Sequence, residues 1–320
     1  MSLGEFKCMA LKLSGETLLK MLDAEELLSY LERGFKDYAD GLVMNPLRVS
    51  IEADGDWWGV MPAYNRSIGF SVKSVCVLPD NQSRGLPTTR AIMLLFNPIN
   101  GDLEVLADGT VLTAIRTAAS SILALRYTHT PVNVFFIGTG MQARYHAKLL
   151  SACFRLNRVN AYSRDKRNVD AFLGECRTMG LNVDPRLETQ DADTLIVATT
   201  STSQVIQRLS AANRALVSVG APTPDARELG DDVLAECSTV VVDTAAGCMK
   251  EAGDIVQTIR NGVLSQNKIV ELGTLIKANT HLSVDKVLYK SVGSAFMDLY
   301  ACEYFYRKAL ELGVGDQIHI

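Results

Sequence analysis

Six residues in mid-chain have the types and spacing to receive a phosphate group: Gly138-Thr139-Gly140-Met141-Gln142-Ala143. Gly138 allows a tight turn, and Gly140, with no Cβ, lets an anion approach the backbone. Ala143 is small enough for a following helix to pack close on the preceding strand. The apolar, β-branched and aromatic run Val132-Asn133-Val134-Phe135-Phe136-Ile137 feeds the turn, and a helix-like segment, Arg144 to Cys153, leaves it. That context gives the G-x-G-x-x-A pattern its chemistry. A helix N-terminus there offers unpaired N–H groups and partial positive charge to the pyrophosphate of a dinucleotide.

About 20 residues beyond such a turn, an acidic side chain bonds the ribose 2′-hydroxyl of NAD, whereas arginine accommodates the 2′-phosphate of NADP. The chain there reads Ala161-Tyr162-Ser163-Arg164-Asp165-Lys166-Arg167, and no carboxylate precedes Ser163. Ser163 and Arg164, with Lys166 or Arg167, suit a phosphate through a hydroxyl bond and a charged fork. NADP(H) is therefore favoured over NAD(H), although Asp165 keeps NAD open if the strand ends two residues later. Thr199-Thr200-Ser201 follow the apolar run 195–198, at the strand edge where ligands bind in open α/β sheets. These hydroxyls either sit beside the ribose or nicotinamide or cap the next helix.

The elements that must position these groups fall into two patterns. Asp23-x-x-Glu26 is a capping box opening an amphipathic helix, with Leu27, Leu28, Leu31 and Phe35 on one face and an end near Gly41. Residues 48–52, 57–61 and 69–75 alternate as strands, and 90–96 and 102–107 flank a turn at 97–101. The first hundred residues thus read as helix plus antiparallel sheet. From about residue 111 helix and strand alternate: helices at 113–126 and 168–179, strands at 132–137, 159–162, 194–198, 215–219 and 239–242. Regular alternation of this kind implies a parallel, doubly wound α/β sheet. A last helix, 294–312, carries Phe296, Leu299, Tyr300, Phe305 and Tyr306, aromatic surface that must pack on the N-terminal sheet or on a second subunit.

A length of 320 residues, 48% hydrophobic and 21% charged, suits about two globular domains with a substantial core. The formal charge of −4 argues against nucleic-acid or anionic-membrane partners. No apolar run approaches the roughly 18 residues of a membrane span, and Glu5, Lys7 and Lys12 interrupt any signal-peptide core. Seven cysteines (Cys8, Cys76, Cys153, Cys176, Cys237, Cys248, Cys302) without a C-x-x-C pair fit reduced thiols in the cytoplasm. His129, His146, His281 and His319 lie far apart, so neither a metal cluster nor a histidine base is expected.

Five motifs stand in order along the chain: Leu86-Pro87-Thr88; Asp108-Gly109-Thr110 with Leu112-Thr113-Ala114-Ile115-Arg116-Thr117-Ala118-Ala119; the Gly138–Ala143 turn; Glu251-Ala252-Gly253-Asp254; and Tyr289-Lys290-Ser291-Val292-Gly293. Taken together they resemble the ornithine cyclodeaminase/mu-crystallin family along nearly the whole chain. The resemblance implies a discontinuous α+β substrate and dimerisation domain, 1–115 plus 294–320, with a Rossmann-type domain, 116–293, inserted into it. It implies a homodimer, and a substrate carboxylate held by two arginines and a lysine at positions matching Arg48, Lys73 and Arg116. Guanidinium forks suit a small carboxylate, and two neighbouring cations would lower the pKa of Lys73 enough for proton transfer. Val292 and Gly293 join the cofactor side in the same way.

Two departures from the family pattern bear on chemistry. Cyclodeaminases and archaeal alanine dehydrogenases of the family carry an aspartate that acts on the substrate amine, where this chain has Pro222 in Gly220-Ala221-Pro222-Thr223-Pro224-Asp225. Gly59, two residues before Met61-Pro62, stands where the cyclodeaminases are expected to have a glutamate near the amine. Without both carboxylates no base is evident for deprotonating an ammonium, unless Asp225 substitutes. The Pro-Asp-x-Arg-Glu-Leu form resembles mu-crystallin and the ketimine reductases instead. The resemblance therefore implies an NADPH-dependent reductase of a small cyclic imino acid, with Lys73 as proton source. Its rivals are an amino-acid or opine-type dehydrogenase, an ornithine cyclodeaminase, and a non-catalytic NADPH- or ligand-binding protein.

Overall fold

The computed structural model describes residues 9–220 and 223–319. Cys8, Glu5, Lys7 and Pro222, all used above, lie outside the described residues. The described residues open with β1 (Met9–Leu13), α1 (Gly15–Met21), α2 (Ala24–Ala39), β2 (Val43–Met44) and β3 (Val49–Ala53). The long strands β4 (Asp56–Asn65), β5 (Gly69–Val77), β6 (Thr89–Phe96) and β7 (Leu103–Asp108) follow, then α3 (Gly109–Thr128). Alternation next gives β8 (Asn133–Ile137), α4 (Met141–Cys153), β9 (Arg158–Tyr162), α5 (Lys166–Thr178), β10 (Thr194–Val197) and β11 (Ala215–Ser218). Then come α6 (Asp231–Glu236), β12 (Thr239–Val242), α7 (Ala245–Glu251), α8 (Gly253–Arg260), β13 (Ile269–Glu271) and α9 (Leu272–Lys277). The chain closes with β14 (Val287–Lys290), α10 (Ala295–Leu312) and β15 (Asp316–His319).

Two compact units result, Met1–Arg116 with Ser294–Ile320, and Thr117–Gly293, the division falling inside α3. The first unit holds an eight-stranded sheet in the order β15-β1-β7-β6-β5-β4-β2, with β3 also on β4. The strands read from the sequence, β3 to β7, pair antiparallel as expected, and β1, which the sequence reading did not include, makes the sheet mixed. β1 pairs parallel with β7 because α2 and the intervening strands carry the chain away before it returns. On the strands the alternation has a clear result: every second residue of β4, from Gly59 to Asn65, is buried. α10 covers that face and packs in turn against α2. Phe296 meets Phe35 edge-on at 5.0 Å and stacks on Tyr38 at 4.9 Å, so the aromatic residues of the last helix are spent on this core. Asp23 caps α2 by accepting from Glu26 N at 3.0 Å, as the capping box predicts.

In the second unit the order is β13-β12-β14-β11-β10-β8-β9, and every pairing is parallel. Strands buried on both faces read as unbroken apolar runs; Leu195, Ile196 and Val197 of β10 and Val240, Val241 and Val242 of β12 do so at 1% exposure or less. Among the described residues no helix is long and apolar enough to cross a membrane.

Candidate active site

In the first unit, register brings one lysine into an apolar row. Lys73 of β5 lies opposite Met61 of β4 and Met93 of β6, on the face that α10 covers. Asp298, in the first turn of α10, meets it there. Lys73 Nζ is 2.7 Å from Asp298 Oδ2, and Arg116 Nε, from α3, donates to Asp298 Oδ1 at 2.8 Å. These side chains are only 2%, 1% and 4% exposed for Lys73, Asp298 and Arg116 respectively. Arg116 Nη1 is also enclosed and has no hydrogen-bond partner among the described residues. An unpaired buried donor costs about 1–3 kcal/mol, more if charged. Such a donor is able to take an acceptor supplied from outside the protein.

The electrostatics agree. Burial pushes the Lys73 ammonium down to about 7; Asp298 opposes that shift, while the positive charges of Arg116 and Arg48 add to it. Burial acts against ionisation of Asp298, but Arg116 and Lys73 hold its carboxyl below the usual range. Arg48 is half-buried, one residue before β3. Three cations against one carboxylate leave a positive excess suited to a small anion, and a lysine able to give up a proton near neutrality. Arg48, Lys73 and Arg116 thus act electrostatically as one group. Asp298 escaped the sequence reading, since an acid in a helix's first turn looks like ordinary dipole compensation.

In the second unit, the Gly138–Ala143 turn joins β8 to α4. Gly138 has φ +99°, and a Cβ there would lie 2.2 Å from the Ala198 carbonyl oxygen. At Gly140 a Cβ would meet nothing within 4 Å. Gly140 caps α4 without any side-chain cap bond, leaving the first-turn N–H groups of Met141 and Gln142 to an anion. Thr139 and Ala143 are buried beneath the turn. These residues fit a dinucleotide pyrophosphate.

β9 ends at Tyr162, so Asp165 does not terminate the strand. It caps α5 instead, accepting from Arg167 N at 2.9 Å and pairing with the Arg167 guanidinium. Ser163 Oγ donates to the Asp165 carbonyl at 3.0 Å, and Arg164 is exposed. Thr199 caps no helix: among the described residues the next helix is α6, which begins at Asp231. The Thr199 N–H and hydroxyl both donate to Glu228 Oε1, at 2.9 and 2.6 Å. Thr200 is exposed.

Glu228, fully buried, is a second residue the sequence did not reveal. Its Oε2 accepts from Ser218 Oγ and Gly220 N, both at 3.1 Å, so one carboxylate ties together the loops leaving β10 and β11. Asp254 Oδ1 accepts from the N–H groups of Glu228 and Leu229 at 2.8 Å each, and its Oδ2 is 2.7 Å from Lys290 Nζ. Burial raises the Glu228 pKa against the charge of Lys290 and the bonds from Thr199. Val292 is buried, and Gly293, at φ +83°, donates its N–H to Asp243 Oδ2 at 2.8 Å. Asp225 is exposed in a turn of this second unit. His146 is buried, its Nε2 2.9 Å from Ser121 Oγ, and burial lowers its pKa to about 4. Among the described residues no group of side chains is placed to hold a metal ion.

A family model described as the ornithine cyclodeaminase/mu-crystallin family matches residues 7–313. A solved structure of Thermococcus litoralis Δ1-pyrroline-2-carboxylate reductase, in complex with NADH and L-proline, is 31% identical. It superposes with a TM-score of 0.89, covering 96% of this chain and 100% of that one. The Δ1-pyrroline-2-carboxylate/Δ1-piperideine-2-carboxylate reductase of Azospirillum brasilense is 32% identical over 287 residues, 86% of this chain and 88% of its own length. An archaeal alanine dehydrogenase dimer with bound NAD is 26% identical, with a TM-score of 0.87 over 97% of this chain and 99% of that one.

Proposed function

We propose that this chain, which belongs to the ornithine cyclodeaminase/mu-crystallin family, is an NAD(P)H-dependent reductase of a small cyclic imino acid. The product is the corresponding cyclic amino acid. The observation that carries this reading is the buried Lys73–Asp298–Arg116 group with its enclosed, unpartnered Arg116 Nη1. It has the form of a carboxylate receptor with a proton donor beside it. The reductases of Thermococcus litoralis and Azospirillum brasilense named above act on, or bind the product of, that substrate class.

Arg48 and Arg116 hold the substrate carboxylate, the second as a fork whose Nε is already fixed by Asp298. Lys73 supplies the proton that the ring nitrogen gains when the C=N bond becomes CH–NH; its pKa of about 7 suits that transfer. When bound, the reduced nicotinamide delivers the hydride that the imine carbon takes up. The Gly138–Ala143 turn and the first turn of α4 hold the pyrophosphate, and Glu228 fixes Thr199 at the strand edge. NADP(H) is favoured over NAD(H): no carboxylate ends β9, Asp165 is engaged at the start of α5, and the exposed Arg164 is open to a 2′-phosphate.

A homodimer is supported by the outer face of the first sheet. Ile51, Trp58, Val60, Phe70 and Ile92 stand exposed there, on one side by register. Apolar surface of that kind marks association sites. Cys76, Cys153, Cys176, Cys237, Cys248 and Cys302 are free thiols, which suits a reducing cytoplasm. The test is to offer the protein NADPH with a cyclic imino acid, with a keto acid plus an amine, or with no second substrate. Oxidation of NADPH by the imino acid alone supports the reading; oxidation by the keto acid and amine alone replaces it with an opine-type dehydrogenase.

A further inference from the structure

Gly59 lies on the buried face of β4, two residues from Met61 and therefore on the same side of the sheet as Lys73. The space a side chain at position 59 would occupy is already taken. A Cβ there would sit 2.3 Å from Cη2 of Trp57 and 2.9 Å from both Cζ2 and Cζ3. The six-membered ring of the Trp57 indole thus folds back along its own strand over Gly59, towards the Met61–Lys73 pair. That pair is two residues on, about 7 Å at some 3.3 Å per residue. Trp57 is half-buried, unlike the closed methionine row beyond it.

We propose that Trp57 is a specificity-determining residue: its indole, admitted only because residue 59 is glycine, forms the apolar wall against which the ring of the substrate rests. This rests on the cyclic imino acid reading above. Along this row β4 presents tryptophan, glycine and methionine, with neither carboxylate nor hydroxyl. The methylenes of a small ring gain from such a wall. A chain ending in a second ammonium finds neither carboxylate nor hydroxyl on the row to replace the water it gives up. Substrates closed into a ring are therefore favoured over open diamino acids.

The experiment measures KM and kcat for 1-pyrroline-2-carboxylate and 1-piperideine-2-carboxylate with wild type, Trp57→Ala, Trp57→Phe and Gly59→Ala, together with NADPH affinity and melting temperature. Trp57→Ala raises KM for both imines by about tenfold or more, with NADPH affinity and melting temperature near wild type. Trp57→Phe recovers most of the loss, and Gly59→Ala, by displacing the ring, moves KM in the same direction as Trp57→Ala. Unchanged KM in Trp57→Ala overturns the proposal while leaving the reductase reading intact. A wild-type protein that reduces neither imine removes the reading itself.

Discussion

Asp298 Oδ1 accepts a hydrogen bond from Arg116 Nε at 2.8 Å, across a sequence separation of 182 residues. The other oxygen of the same carboxylate faces Lys73 Nζ at 2.7 Å. One acid on the last helix therefore sets the aim of two of the three cations proposed to touch substrate. Replacing Asp298 by Asn keeps the shape and removes the charge. Two buried cations then lose their counter-charge, a loss worth about 3–5 kcal/mol. Chemical denaturation of Asp298→Asn should show a destabilisation of that order, and a variant as stable as wild type would mean the trio is not charged as described.

The depressed pKa of Lys73 gives a sign to the pH dependence. Lys73 donates only while protonated, so kcat/KM should fall as pH rises through about 7. Arg48 is one of the charges pushing that pKa down. Arg48→Gln removes a repelling cation, the ammonium persists to higher pH, and the alkaline fall should move upward even though overall kcat/KM drops. A profile that loses height without moving would assign the titration to the substrate or to another group.

The two glycines of the nucleotide turn should fail differently. Gly138→Ala places a methyl 2.2 Å from the Ala198 carbonyl at a φ of +99°, so both stability and NADPH binding should be lost. Gly140→Ala meets no protein atom within 4 Å. Its melting temperature should stay near wild type while NADPH affinity falls by about tenfold or more. Wild-type affinity in Gly140→Ala would place the pyrophosphate elsewhere.

Arg164 carries the coenzyme preference. Arg164→Gln should weaken NADPH by about tenfold, the worth of one charge-assisted contact, and leave NADH nearly unchanged. Equal loss for both coenzymes, measured by fluorescence titration, would remove Arg164 from the 2′-phosphate.

Much of this was open to sequence reasoning where periodicity or local chemistry spoke. The alternation of β4 to β7, the helix 23–41 with its capping box, and the strand–turn–helix at Gly138 depend on near neighbours, and their positions match within a few residues. What escaped depends on distant partners. β14, Val287–Lys290, ends in a tyrosine and a lysine instead of running on as an apolar stretch, yet it lies in the second sheet between β11 and β12. Lys290 looks like a surface residue until Asp254 and Ser218 arrive from other elements. Glu228 follows an arginine in a polar stretch, and nothing local says its carboxylate is buried under two loops. Trp57 over Gly59 is a side-chain conformation, which no spacing rule encodes.

The most direct measurement of the central claim is the yield of cyclic amino acid per coenzyme consumed. The protein is supplied with 1-pyrroline-2-carboxylate and NADPH in one reaction, and with ornithine and NAD(P)+ in a parallel one. The account predicts one proline formed for each NADPH oxidised in the first and none in the second. Proline appearing from ornithine with no net change in coenzyme would contradict it.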